Sequence, residues 1–220
     1  QYYKELMDSL NILPEDINNR EDLNKLPALT KQLIKDNIDK ITSDDKFSKN
    51  LVELTSGGST GEQAVIYKSS FYDQISRGSW LRNNAMIGWM PADKTVWIWG
   101  SPIEHAQIKE SLIAQLGIFV NRRIILNAFN YSEGDFPKWY NKILKFKPKV
   151  VFGYSSIILE FANFLIENNL KLPSVKMVVS TTEKLFKRKN IEKAFNCKVY
   201  DQYGCREVIA IGIELDSSEM

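Results

Sequence analysis

Val150-Val151-Phe152-Gly153-Tyr154-Ser155-Ser156-Ile157-Ile158-Leu159-Glu160-Phe161 is the stretch that decides the fold. Val150–Phe152 is a short apolar run of β-branched and aromatic residues and reads as a strand. Gly153 interrupts it, and Ser156 then opens a helix reaching Asn168. The same alternation recurs on both sides. Upstream, Thr95–Trp99 is strand-like and Glu104–Leu116 helical, with Ile108, Leu112, Ile113 and Leu116 on one side. Arg123–Leu126 is strand-like, and Ser132 caps a helix ending at Phe146. Downstream, Lys176–Ser180 reads as a strand, Glu183–Phe195 as a helix, and Lys198–Asp201 and Val208–Glu214 as strands. Strands alternating with helices of about ten or more residues predict an α/β fold, a mostly parallel sheet flanked by helices. Ligands of such sheets sit at the carboxyl ends of the strands. The loops after Thr55, Phe152, Ser180 and Asp201 are therefore the ones expected to carry function.

Residues 1–45 read as a helical lead-in, with Thr30 as an N-cap and Pro14 and Pro27 as breaks. Residues 46–220 read as one α/β core, since no repeat or Ser/Gly linker divides them. Leu51–Thr55 and Ala64–Tyr67 form a predicted hairpin around a Ser/Gly loop, and Ser69 or Ser70 starts a long helix. Among the 220 residues, 44% are hydrophobic and 25% charged, an ordinary globular balance. Lys plus Arg number 29 against 27 acidic residues, so a net charge of +2 gives no general pull on nucleic acid or anionic lipid. The two cysteines, Cys197 and Cys205, and the single His105 argue against a disulfide scaffold or a zinc cage. Free thiols fit a reducing, cytoplasmic setting. The greasiest stretch, Val150–Ile166, is too polar to span a bilayer. A start at Gln1 rather than Met suggests a piece of a longer chain.

Thr55-Ser56-Gly57-Gly58-Ser59-Thr60-Gly61-Glu62 is built to approach anions closely. Its glycines allow the backbone N–H groups to converge on phosphate oxygens, and Ser56, Ser59 and Thr60 add hydroxyls. Neither the P-loop spacing nor the dinucleotide fingerprint is present, and a plain flexible turn remains the alternative. Val199-Tyr200-Asp201-Gln202-Tyr203-Gly204-Cys205-Arg206-Glu207 leaves a strand with an aromatic ring, a glycine and a carboxylate. Tyr203 could stack on a purine, Gly204 could let the base approach, and Glu207 could hold Mg²⁺. A core tyrosine, a turn glycine and a surface ion pair are the bland alternative. Gly153-Tyr154-Ser155-Ser156 and Ser180-Thr181-Thr182-Glu183 are the corresponding strand-to-helix turns, with simple capping as their alternative.

Together these motifs resemble the adenylate-forming ligases. Within them they are similar to the phenylacetate–coenzyme A ligase-like enzymes and to the branch of capsular polysaccharide biosynthesis. Tyr2-Tyr3-Lys4-Glu5-Leu6 and Glu21-Asp22-Leu23-Asn24-Lys25-Leu26-Pro27 look like that family's lead-in, so the resemblance covers nearly the whole chain. It implies part of the family's large N-terminal domain, with a β-hairpin phosphate loop. It implies that Ser56, Gly57, Gly58, Ser59, Thr60 and Gly61 bind the β- and γ-phosphates of ATP. Thr182, Glu183, Asp201, Gln202, Tyr203 and Gly204 would line the adenine, Glu207 would ligate Mg²⁺, and Tyr154 and Ser155 would face a small-molecule carboxylate. The implied reaction makes an acyl-adenylate and then passes the acyl group to coenzyme A or another acceptor. Family members often pair, so the resemblance allows a homodimer, with the oligomeric state left open.

The sequence departs from the family at Glu62 and Gln63, where Lys and Pro are usual, and this removes a positive charge near the phosphates. Arg206 replaces a usual Ser or Thr. The family's catalytic Lys, carried on a small C-terminal domain, would fall beyond Met220, so no catalytic residue is assignable. Lys184, Lys187, Arg188, Lys189 and Lys193 read as a solvated basic helix face. Trp80, Trp89, Trp97, Trp99 and Tyr154 read as core or as the wall of an apolar pocket. The competing readings are a non-catalytic nucleotide-binding or structural partner module, and a glycosyl or phosphoryl transferase. No DxD pair or Walker Lys supports the latter.

Overall fold

The computed structural model describes residues 1–43, 50–55, 65–100, 111–205 and 207–215. The chain forms two compact units, residues 1–75 and 76–220.

The first unit is short helices and one hairpin. Helix α1 spans Tyr2–Ser9, α2 Lys31–Asp36 and α3 Ile38–Ile41, with 3₁₀ turns at Pro14–Asp16 and Glu21–Lys25. Thr30 caps α2 as expected: its Oγ1 accepts the Leu33 N–H at 3.2 Å. Strands β1 (Leu51–Thr55) and β2 (Val65–Ser69) pair antiparallel, Leu51 opposite Ser69 and Thr55 opposite Val65. The predicted hairpin is therefore present. Its loop, Ser56–Gly61 with Glu62 and Gln63, lies outside the described residues. Helix α4 (Ser70–Met86) follows, with the Ser69 hydroxyl accepting the Tyr72 N–H at 3.1 Å.

The second unit is a six-stranded sheet in the order β4-β3-β5-β6-β7-β8. Its strands are β3 (Thr95–Trp99), β4 (Arg123–Asn127), β5 (Val150–Tyr154), β6 (Met177–Thr181), β7 (Lys198–Tyr203) and β8 (Gly212–Ile213). All neighbours are parallel except β7 and β8. Helices α5 (Leu112–Val120), α6 (Phe136–Phe146), α7 (Ser155–Glu167) and α8 (Arg188–Phe195) connect the parallel strands. The fold class is the one expected from the alternation of strands and helices.

Successive side chains of a strand point to opposite faces, so each strand feeds two cores. Val96, Ile98, Val151, Val178 and Val199 pack with Phe136 and Ile143 of α6, Phe161 and Leu165 of α7, and Ile191 and Phe195 of α8. The other face gathers Val150, Phe152, Met177 and Val179 with Ile87 and Trp89, and Trp80, Trp97 and Tyr200 pack against them. Burial on both faces is why Val150-Val151-Phe152 carries no polar alternation. Three tryptophans thus join the core on this face: Trp97 stacks on Phe152 at 5.1 Å, and Trp80 meets Trp89 edge-on at 5.0 Å.

Several boundaries differ from expectation. Residues 101–110, His105 included, lie outside the description, so of the helix expected over Glu104–Leu116 only the end can be compared: the described helix runs Leu112–Val120, past Leu116. Leu112, Ile113 and Leu116 are exposed rather than turned inward. The helix expected from Glu183 begins only at Arg188. Thr182 and Lys187 take positive φ values of 72° and 44°, which hold residues 183–187 out of a helical path. The strand expected over Val208–Glu214 is reduced to Gly212–Ile213, because the preceding residues form a turn around Ala210 at φ 56°. Helix α7 is not capped by Ser156: it starts at Ser155 after an extended Tyr154, with no side-chain cap from that N-cap residue.

Candidate nucleotide and carboxylate edge

The parallel register brings the sequence-predicted residues to one edge. Tyr154 pairs with Thr181, and Thr181 with Gln202, so the carboxyl ends of β5, β6 and β7 lie side by side. The connection from β3 runs to β4 on one side, and the next connection returns past β3 to β5. In open α/β sheets the point beyond the carboxyl ends of the two strands at such a reversal, here β3 and β5, is the usual ligand position. Trp99, the last residue of β3, stacks on Tyr154 there, with ring centroids 4.7 Å apart and planes 13° from parallel. Trp99 and Tyr154 thus form an aromatic wall at the reversal point.

Gly153 is what allows β3 and β5 to meet so closely. A Cβ at this position would lie 2.9 Å from both the Ile98 Cβ and the Ile98 carbonyl oxygen. Ser155 is fully buried, and its hydroxyl accepts the Phe186 N–H at 3.0 Å. It therefore ties the loop after β6 to the start of α7. Glu183, beside it, uses Oε2 to accept the Ser156 N–H at 2.9 Å. A free N–H of the first helical turn is thereby satisfied by a carboxylate from the neighbouring loop, an arrangement the helix dipole also favours. Thr182 is exposed, and its hydroxyl donates to the Thr181 carbonyl.

On β7, Asp201 is half-buried, and burial pushes its carboxyl pKa up, with the nearby Arg188 opposing and Glu214 adding to the shift. Gln202 is buried, and its Nε2 has no hydrogen-bond partner. The Ser180 hydroxyl one strand away is equally buried and unpartnered. Buried polar groups are satisfied nearly everywhere in proteins, so an orphaned donor at this candidate edge leaves room for a water or a ligand atom as its partner. Tyr203 leaves the strand 61% exposed, with much of its ring open to solvent.

Beyond Tyr203 the chain turns tightly. A Cβ on Gly204 would lie 2.9 Å from the Ala210 backbone nitrogen, so the two arms of the turn touch through Gly204. The Cys205 N–H donates to the Val208 carbonyl at 2.9 Å. Glu207 lies exposed on this turn, and Arg206 is outside the described residues. Asn83 of α4 reaches across to donate from Nδ2 to the Ala210 carbonyl at 3.0 Å. Among the described residues no three His, Cys, Asp or Glu side chains gather as a metal cage. A single carboxylate such as Glu207 suits Mg²⁺, which commonly takes one or two carboxylates and completes its shell with phosphates and water.

Asn83 and Glu214 carried no reading at the sequence level, and Trp99 was read only as core or as the wall of an apolar pocket. Arg188 was expected on a solvated face but instead donates to the Val199 carbonyl and to Glu214. Nothing in the local pattern reveals the Asn83 bond, since its partner is 127 residues away.

No family model matches the sequence. The chain is 29% identical over 212 residues to Protein CapK of Staphylococcus aureus, covering 94% of this chain and 46% of that protein. Its structure is similar to 2-hydroxyisobutyryl-CoA ligase in complex with 2-HIB-AMP and CoA, with a TM-score of 0.63 and 17% identity over 91% of this chain and 44% of that one. It is also similar to a long-chain-fatty-acid-CoA ligase from Archaeoglobus fulgidus, with a TM-score of 0.52 and 13% identity over 73% of this chain and 32% of that one. The chain spans less than half the length of each of these relatives. The fold is the one shared by these CoA ligases, as the motif resemblance implied.

Proposed function

We propose that this chain supplies the nucleotide and carboxylate edge of an ATP-dependent ligase that activates a small carboxylic acid as its acyl-adenylate. The acyl group then passes to coenzyme A or to another acceptor. The observation that carries the reading is the placement of Tyr154, Thr182, Gln202 and Tyr203 along one carboxyl edge, at the ends of the adjacent strands β5, β6 and β7. The orphaned Gln202 Nε2 at that edge supports it, because an adenine offers ring-nitrogen acceptors to such a donor.

In this reading the Tyr203 ring stacks on the adenine, and Thr182, Glu183, Asp201 and Gly204 frame it. Ser56, Gly57, Gly58, Ser59, Thr60 and Gly61 hold the β- and γ-phosphates. Glu207 holds Mg²⁺, which would neutralise charge on the phosphates during attack by the carboxylate. The Trp99–Tyr154 wall presents the acid, and Ser155 fixes the helix start behind it. Most of the rate gained at such a site comes from alignment and charge stabilisation rather than from a reacting side chain.

The test is a thermal melt with and without saturating ATP and Mg²⁺. Ligand at about 100 times its Kd adds roughly 2.7 kcal/mol to the native state. In a domain of this size that is a rise of roughly 5–10 °C. Tyr203→Ala should weaken binding by about 1–3 kcal/mol, the range found for loss of one base–aromatic stack. A melt that ATP and Mg²⁺ leave in place, together with no binding in a direct titration, would overturn the proposal.

A further inference from the structure

The strand pairing that holds the adenine-side hairpin is slight. Strand β8 contributes only Gly212–Ile213, opposite Tyr203 and Gln202. Two-stranded pairing this short has little stability of its own. Next to it, Glu214 is 7% exposed, and Arg188 donates from Nη2 to Glu214 Oε2. The Arg188 Nη1 donates to the Val199 carbonyl, in the strand that carries Asp201, Gln202 and Tyr203. The same Glu214 Oε2 accepts the Asp201 N–H at 3.3 Å, while the Glu214 N–H donates to the Asp201 carbonyl at 2.9 Å. One buried carboxylate and one guanidinium thus join the start of α8, the middle of β7 and the residue after β8.

We propose that Arg188 and Glu214 are positioning residues for the nucleotide edge: their ion pair clasps the β7–β8 hairpin so that Tyr203 and the turn bearing Glu207 are presented in a fixed orientation. The inference rests on the nucleotide reading above. Neither residue touches the nucleotide; they act through the backbone of β7. Arginine suits this task because its planar fork serves two acceptors in a defined geometry, and lysine cannot reproduce that. Among the described residues the turn carries the Cys205–Val208 contact, and Asn83 pins Ala210 from the other side. Glu214 anchors its end at β8 to β7.

The experiment is a fluorescence titration with ATP and Mg²⁺ on the full chain, for the wild type, Arg188→Met, Glu214→Gln and Arg188→Lys. A melt of each variant is recorded alongside, and titrations run at a temperature where circular dichroism shows each one folded. Arg188→Met and Glu214→Gln are expected to raise the Kd by about tenfold or more. Arg188→Lys, which keeps the cation, is expected to fall between them and the wild type. Variants that melt earlier yet bind ATP as tightly as the wild type would show a merely structural pair and overturn the proposal. If Arg188→Met does not fold, Glu214→Gln and Arg188→Lys decide by the same comparison. A wild-type chain that binds no ATP sinks the nucleotide reading instead. Hydrogen exchange at residues 203–213 then judges the clasp alone: faster exchange in Glu214→Gln supports it, and unchanged exchange overturns it.

Discussion

Gly153→Ala adds a single methyl group at a crowded point of the central sheet. The new Cβ would sit 2.9 Å from the Ile98 Cβ and 2.9 Å from the Ile98 carbonyl oxygen. Both atoms belong to or adjoin the β3 backbone, so no rotamer change can relieve the contact. The Ile158 Cδ1, 3.4 Å away, closes the remaining side. Relief requires β3 and β5 to separate by several tenths of an ångström while both stay bonded to their outer neighbours. Overpacking of this kind costs about 1–3 kcal/mol. In a unit of this size each kcal/mol lowers Tm by roughly 2–4 °C, so the melt should fall by roughly 2–12 °C. The strain also lies next to the Trp99–Tyr154 stack, whose centroids are 4.7 Å apart. The tryptophan fluorescence of the folded variant should therefore change with the melt. The assay is a thermal melt followed by circular dichroism and by fluorescence. A Gly153→Ala protein that melts with the wild type and keeps its emission would refute the close approach of β3 and β5, and with it the tight reversal point.

Two further outcomes follow from the same geometry. Asn83→Ala removes the bond to the Ala210 carbonyl and should cost about 1–2 kcal/mol, with faster hydrogen exchange confined to residues 207–211; unchanged exchange there would contradict the cross-link. Burial pushes the Cys197 thiol up to about 12, whereas Cys205 is exposed, so a thiol reagent at pH 8 should label Cys205 and spare Cys197 in the folded chain. Because only the thiolate reacts, raising the pH toward 12 should bring Cys197 into reaction, and equal labelling of both at pH 8 would refute its burial.

The parallel sheet was legible before any coordinates, because its signals are local. Val150-Val151-Phe152 and Met177-Val178-Val179 can be read as strands buried on both faces from their own composition. Thr30 and Ser69 announce helix starts through bonds to residues three positions on. The edge at which the motif-bearing loops gather was legible too, since alternating strands and helices bring the carboxyl ends of parallel strands to one side. Tertiary structure decided what depends on partners distant in sequence. The helix signal of Glu183 was overridden when its carboxylate went to Ser156, 27 residues back, and a helix start moved to Arg188. Arg188 looked like one more lysine-rich surface charge until Glu214 closed on it. Gly153, plain as a break in the sequence, has its reason only in Ile98 across the sheet. Propensity, capping and hydrophobic period act over a few residues and are written in the chain. Ion pairs, close strand approach and orphaned donors such as Gln202 arise only when the fold brings remote residues to one place.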